Sequence, residues 1–175
     1  LGDILGSDKY QAQTGSLKVA LGKDVLGKPV TLDLKKLPHL LIAGATGSGK
    51  SVCVNGIITS IVYNYDPTYV RFILVDPKMV ELQVYNGLPH LLTPVITEPH
   101  MAPLALKWAI YEMEKRYRLL SEMNTRDIER YNEKIRETGE KREPLPYIIT
   151  IIDELADLMM VAPKDIEGYI TRIAQ

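Results

Sequence analysis

Hydrophobic and polar positions divide the chain into short apolar runs separated by stretches of helical period. Residues Ser16–Leu21 alternate loosely, Gly22–Gly27 carries Gly, Lys and Asp, and Pro29–Leu34 resumes the run, a pattern that predicts a β-hairpin. Leu40–Ala43 is uninterruptedly apolar and closed by Gly44, as expected of a strand buried on both faces in a parallel sheet. From Lys50 to Asn64 the residues Val52, Ile57, Ile58, Ile61 and Val62 follow helical spacing, and Asp66–Pro67 stops the helix. Tyr69–Val75, closed by Asp76–Pro77, predicts a second buried strand, and Leu91–Ile96 a third.

Met101 to about Arg136 is the longest helical stretch. Its first part carries Leu104, Trp108, Tyr111, Tyr117 and Leu120 on a broad apolar face, with Glu112→Arg116, Glu114→Arg118 and Glu122→Arg126 as favourable i,i+4 pairs. Nine acidic and nine basic residues lie between Glu112 and Glu143, which reads as a solvated helix face and loop. Gly139, Pro144 and Pro146 break the pattern across Thr138–Pro146. Tyr147–Ile152 is the most β-prone run and ends at Asp153–Glu154; Pro163 then suits the first turn of a final helix through Gln175. Strands alternating with helices predict an α/β fold, a mainly parallel sheet flanked by helices, preceded by the N-terminal β-hairpin.

Composition narrows the class without choosing a function. The 175 residues, 46% hydrophobic and 25% charged, suit one globular domain with a real core. A net charge of -1 removes overall basicity as an argument for nucleic acid, so any such contact must be local. Cys53 is the single cysteine, so no internal disulfide can form, and a reducing compartment fits. No apolar run approaches the roughly 20 residues needed to span a bilayer. Leu1–Gly2–Asp3 does not begin a signal peptide, and without a starting Met the chain reads as a piece of a longer protein.

The chemistry concentrates in two places. Gly44-Ala45-Thr46-Gly47-Ser48-Gly49-Lys50-Ser51 matches G-x-x-x-x-G-K-[ST] in full, between an expected strand and an expected helix. By average residue usage such a match arises by chance on the order of 10⁻⁵ to 10⁻⁴ times per position. The glycines permit close approach of phosphates, the amides from about Gly47 to Val52 point at the β-phosphate, and the helix N-terminus adds a favourable dipole. Lys50 bridges β- and γ-phosphate oxygens and the Ser51 hydroxyl coordinates Mg²⁺, which makes ATP with Mg²⁺ the expected ligand.

A phosphate loop needs a metal-organising acid at the C-terminal end of a neighbouring strand. Tyr147–Ile152 delivers Asp153 there for Mg²⁺, and Glu154 next to it could orient or deprotonate the attacking water. An N-cap pair opening the next helix is the alternative for Asp153–Glu154; the loop upstream favours the metal and base roles. Asp76 competes for the metal, but Pro77 follows it and no second acid does. His39, His90 and His100 lack metal-ligand spacing, and Cys53 has no evident general-base partner and reads as a small packed hydrophobe.

With these residues in view, the chain resembles the FtsK/SpoIIIE family of DNA translocases. The resemblance is carried by Pro38–Val52, Val75-Asp76-Pro77-Lys78, Gly87–Val95, Glu112–Tyr117 and Ile152–Leu158, and by Ala20–Asp24 and Gly27–Val30 upstream. It runs from roughly residue 4 to residue 175. It implies a RecA-like P-loop NTPase motor that hydrolyses ATP, assembles as a homo-oligomeric hexameric ring and translocates on double-stranded DNA in chromosome segregation, during cell division or sporulation. It implies Gly44, Ala45, Thr46, Gly47, Ser48, Gly49, Lys50, Ser51 and Val52 as the nucleotide-binding loop, Lys50 also catalytic, Ser51 and Asp153 as metal ligands, and Glu154 as the catalytic glutamate.

The family motor continues past Gln175 with a further strand, and its DNA-facing loops are expected there too. A membrane anchor belongs to another part of such a protein, so this segment is expected to be a cytoplasmic domain of a bacterial protein held at the inner membrane. Residues 1–36 read as an N-terminal extension with the hairpin, and 37–175 as the P-loop ATPase core. Arg116 and Arg118 read as helix-surface residues. Two other classes stay open: a nucleotide-binding ring-assembly module without activity in this length, and a related motor for protein export or conjugation, which the Gly87–Val95 run disfavours.

Overall fold

The computed structural model describes residues 1–12, 14–45 and 47–175. The chain forms two compact units, Leu1–Tyr65 and Asp66–Gln175.

The first unit is built on the expected hairpin. Two one-turn helices, α1 (Gly2–Leu5) and α2 (Asp8–Gln11), precede strands β1 (Lys18–Lys23) and β2 (Pro29–Asp33). The strands pair antiparallel from Lys18↔Asp33 to Lys23↔Pro29, with a bulge between Ala20 and Gly22. The turn is organised by Asp24, whose Oδ1 accepts from the backbone N–H of Leu26 at 2.9 Å and of Lys28 at 2.8 Å, while Gly27 supplies φ 76°. Helix α3 (Lys50–Asn64) lies on β1 and buries Val54, Ile57, Ile58 and Ile61. Ser60 Oγ accepts from Ala20 N–H at 3.1 Å and so ties helix to strand; Val52 stands exposed. Tyr10, fully buried, donates its hydroxyl to the Lys18 carbonyl at 3.1 Å and accepts from Asn64 Nδ2 at 2.8 Å. Burial, with the neighbouring Tyr65, pushes the Tyr10 phenol up to about 12, although the Asn64 bond pulls it down.

Leu40–Ala43 does not form the expected strand. Leu40 and Leu41 are exposed, and the run is irregular backbone. A strand exists through its ladder, and the ladder of this unit is the antiparallel β1–β2 pair.

The second unit holds the parallel pair. Strands β3 (Val70–Val75) and β4 (Tyr147–Ile152) run parallel in register from Val70↔Tyr147 to Val75↔Ile152. On the other side of β3, the expected third strand is reduced to two parallel bridges, Phe72↔Leu91 and Val75↔Ile96. Phe72 and Asp76 N–H donate to His90 and Ile96 carbonyls at 2.8 Å each, so β3 is bonded on both edges. Helices α4 (Ala102–Glu122), α5 (Ile128–Thr138), α6 (Leu155–Val161) and α7 (Pro163–Ala174) complete the unit. Its core joins Val75, Ala102, Leu106, Leu158 and Ile166.

Two helical expectations are corrected. The stretch from Met101 to Arg136 is two helices, separated where Asn124 takes φ 48° and Asp127 caps α5 by accepting from Arg130 N–H at 2.8 Å. The apolar face of α4 is not buried in the unit: Leu104, Trp108, Tyr111 and Tyr117 are exposed, because α4 packs on α7 through the face that carries Ala102 and Leu106. A short helix, α6, opens directly after Glu154, where the N-cap alternative for Asp153–Glu154 places one; α7 begins at Pro163 as expected.

Candidate nucleotide site

In the first unit, the Gly44–Val52 loop leads directly into α3, which begins at Lys50. Gly49 occupies the N-cap at φ 92°, in the left-handed region, and has no side chain with which to cap the helix; Gly47 lies at φ 81°. A Cβ on Gly44 would run into the Ser48 side chain, so a larger residue there requires the Ser48 hydroxyl to turn away. The Ser48 N–H closes a turn onto the Ala45 carbonyl at 2.9 Å. Lys50 and Ser51 are half-buried, and Thr46 lies outside the described residues. A glycine cradle at an uncapped N-terminus of a four-turn helix, followed by a lysine and a hydroxyl, suits a phosphate anion by geometry and charge. The Ser51 hydroxyl and the Asp153 carboxylate are hard oxygen donors of the kind Mg²⁺ takes.

In the second unit, the parallel register brings the residues after β3 and β4 to one edge of the sheet. Asp153 N–H donates to the Val75 carbonyl at 3.0 Å, which fixes the chain at the end of β4 and leaves Asp153 9% exposed. Glu154 is the N-cap of α6 in extended conformation, φ -130° and ψ 96°, without capping it through its side chain. Its Oε2 instead accepts from Lys78 Nζ at 3.3 Å, and Asp157 Oδ2 stands 3.9 Å from the same ammonium. The Glu154 hydrogen bond, together with the charge of Asp157, raises the Lys78 pKa.

Asp76, the competing metal candidate, is fully buried, and its Oδ2 accepts from Glu81 N–H at 3.1 Å and Leu82 N–H at 2.9 Å. That bonding makes it the brace of the loop after β3. Lys78 carries no expectation from the sequence, although it lies in the matched Val75–Lys78 run; the signal for its pairing is a lysine just past the end of the strand that neighbours β4. Arg116 is not a surface residue. Its Nε bonds Glu112 Oε1 at 2.8 Å and its Nη1 the Pro146 carbonyl at 2.6 Å, tying α4 to the segment before β4.

Parallel strands joined through helices, in a chain that also carries this glycine–lysine–serine loop at a helix start, define an α/β fold of the RecA-like P-loop NTPase class. The chain belongs to the FtsK/SpoIIIE family, which matches residues 1–175. It is 55% identical over 175 residues to the DNA translocase FtsK of Clostridium tetani, and 56% identical over 179 residues to that of Halalkalibacterium halodurans. Both alignments cover 100% of this chain, which spans 23% of the length of each relative. Among solved structures it is similar to the pCW3 conjugation coupling protein TcpA, solved in monomer form with ATPγS. That match has 30% identity and a TM-score of 0.70, over 97% of this chain and 47% of that one. The cytoplasmic domain of the Type VII secretion ATPase EccC of Thermomonospora curvata matches with 27% identity and a TM-score of 0.73, over 90% of this chain and 19% of that one. No described helix is long and apolar enough to cross a membrane.

Proposed function

We propose that this chain is the nucleotide-binding part of an ATP-driven double-stranded DNA translocase. In this reading the motor works as a homo-oligomeric, hexameric ring in bacterial chromosome segregation. The observation that carries the reading is the identity of 55% over the whole chain to a protein named as a DNA translocase, with the loop intact at the start of α3. The conjugation and secretion relatives, at 30% and 27% identity, make a motor for other cargo the second reading. In the full-length protein this segment acts as a cytoplasmic domain, with the membrane anchor supplied by another part.

In the first unit, the amides of Gly47–Val52 and the Lys50 ammonium bind the β- and γ-phosphate oxygens of ATP, and the Ser51 hydroxyl is a ligand for Mg²⁺. In the second, Asp153 organises the metal and Glu154 accepts the proton of the attacking water. Mg²⁺, when bound, neutralises charge on the phosphate oxygens. Residues 1–36 act as an extension with the hairpin, and 37–175 as the ATPase core.

The test is ATP turnover by the full-length protein with and without double-stranded DNA. Turnover rises with DNA in the parent. Lys50→Ala loses most binding of Mg·ATP, because the charge facing the phosphates is deleted. Glu154→Gln binds ATP near normally while turnover falls by about 10²-fold or more, the usual scale for a positioned base. Parental binding and turnover in Lys50→Ala would overturn the loop assignment. Equal losses of binding and turnover in Glu154→Gln would make Glu154 structural. Turnover indifferent to DNA would favour the second reading.

A further inference from the structure

The turn after β3 is built to hold one side chain over the end of β4. Asp76, fully buried, accepts two backbone N–H groups through Oδ2, from Glu81 and Leu82, and its carbonyl accepts from Met79 N–H at 3.2 Å. Met79 sits at φ 57°, a conformation that a non-glycine side chain rarely adopts. Lys78 leaves the turn between these two fixed points and reaches Glu154 Oε2 at 3.3 Å and Asp157 Oδ2 at 3.9 Å. Glu154 sits where a side chain would cap α6, yet it is engaged with the lysine instead.

The Lys78 side chain is 53% exposed and that of Glu154 32%, and ion pairs at such exposure contribute little to stability. A buried carboxylate and a strained residue are a costly way to place a pair that stabilises so weakly. Strain of this kind gathers where geometry serves a site.

We propose that Lys78 is a positioning residue for Glu154: its ammonium holds the carboxylate at the C-terminal edge of the β3–β4 pair in the orientation from which it takes the proton of water. A catalytic base is commonly oriented by a third group in this way. Asp157 steadies the ammonium from α6. This inference rests on the reading of Glu154 as the base.

The experiment measures kcat and KM for ATP in the full-length protein with double-stranded DNA. Lys78→Met lowers kcat by about 10-fold to 10²-fold, the scale of a misplaced catalytic group, and leaves KM within about twofold. Lys78→Gln, uncharged and shorter in reach, shows the same kcat loss. Lys78→Arg, which keeps the cation, recovers most of it. The Lys78→Met/Glu154→Gln double variant is no slower than Glu154→Gln alone, since both changes remove one function.

A parental kcat in Lys78→Met beside a disabled Glu154→Gln overturns the role of Lys78 and leaves the base in place. Multiplying losses in the double variant, or an effect on KM alone, overturn it too. A parental rate in Glu154→Gln overturns the base assignment and this inference together.

Discussion

Asp76 and Asp153 look alike in the sequence, each closing a β-prone run, and the fold gives them different work. Asp76 turns back on its own loop and satisfies two backbone donors at zero exposure. Asp153 bonds β3 through its own backbone N–H at the end of β4 and retains 9% exposure. Oδ2 of Asp76 is committed to the N–H groups of Glu81 and Leu82. Asp76→Ala therefore leaves two donors without their acceptor and costs about 3–6 kcal/mol, since each bond to a carboxylate contributes about 1.5–3 kcal/mol. Urea unfolding followed by circular dichroism measures it. A loss below about 0.5 kcal/mol would mean that water replaces the carboxylate at no cost. The phosphate loop was legible because its pattern is local: the glycines, the lysine and the helix start lie in one short run. Lys78 was not, because its partner Glu154 is 76 residues away along the chain. Only the parallel register of β3 with β4 reveals that they share an edge.

At the scale of elements, periodicity located α3, while β-prone apolar runs located β3 and β4 and Pro163 the start of α7, each of which carries its own local signal. It failed at Met123–Asp127, where the i,i+4 charge pairs run on across a helix end. Two weaker signals mark that end: an asparagine able to take a left-handed turn, and an aspartate three residues before Arg130. The turn lets Met123, Tyr131 and Ile135 close a small cluster with Leu119, Leu120 and Leu145. Asp127→Ala removes the cap and costs about 0.5–2 kcal/mol. Asn124→Val, β-branched at φ 48°, costs about 1–2 kcal/mol more than Asn124→Gly, which tolerates the angle. Thermal unfolding of the three variants checks both values. Equal stability of the valine and glycine variants would show that the two helices can fuse into one without loss. The Leu40–Ala43 run failed for another reason: strand formation is decided by a partner, and apolar composition cannot supply one.

At the scale of the whole molecule, the two strands of the parallel pair contrast in ways that sequence alone does not convey. β3 is almost wholly buried, while every residue of β4, Tyr-Ile-Ile-Thr-Ile-Ile, is only partly so. Tyr147 and Asp153 donate their N–H groups to the Tyr69 and Val75 carbonyls, at 2.8 and 3.0 Å. By the alternation of a parallel ladder, Ile148, Thr150 and Ile152 turn their N–H and C=O groups to the opposite edge. Among the described residues no strand pairs on that edge. A row of unpaired donors and acceptors on so apolar a strand is a template for pairing. The relatives, of which this chain covers 23%, have room for a strand to fill it. We expect the edge to be paired in the full-length protein. Hydrogen–deuterium exchange tests this. In the 175-residue chain, the amides of Ile148, Thr150 and Ile152 exchange at least about 10²-fold faster than those of Phe72 and Asp76, which are bonded to the 90–96 segment. In the full-length protein the two sets slow to comparable rates. If Ile148, Thr150 and Ile152 still exchange as fast there, β4 is a true edge strand, and the sheet ends at it.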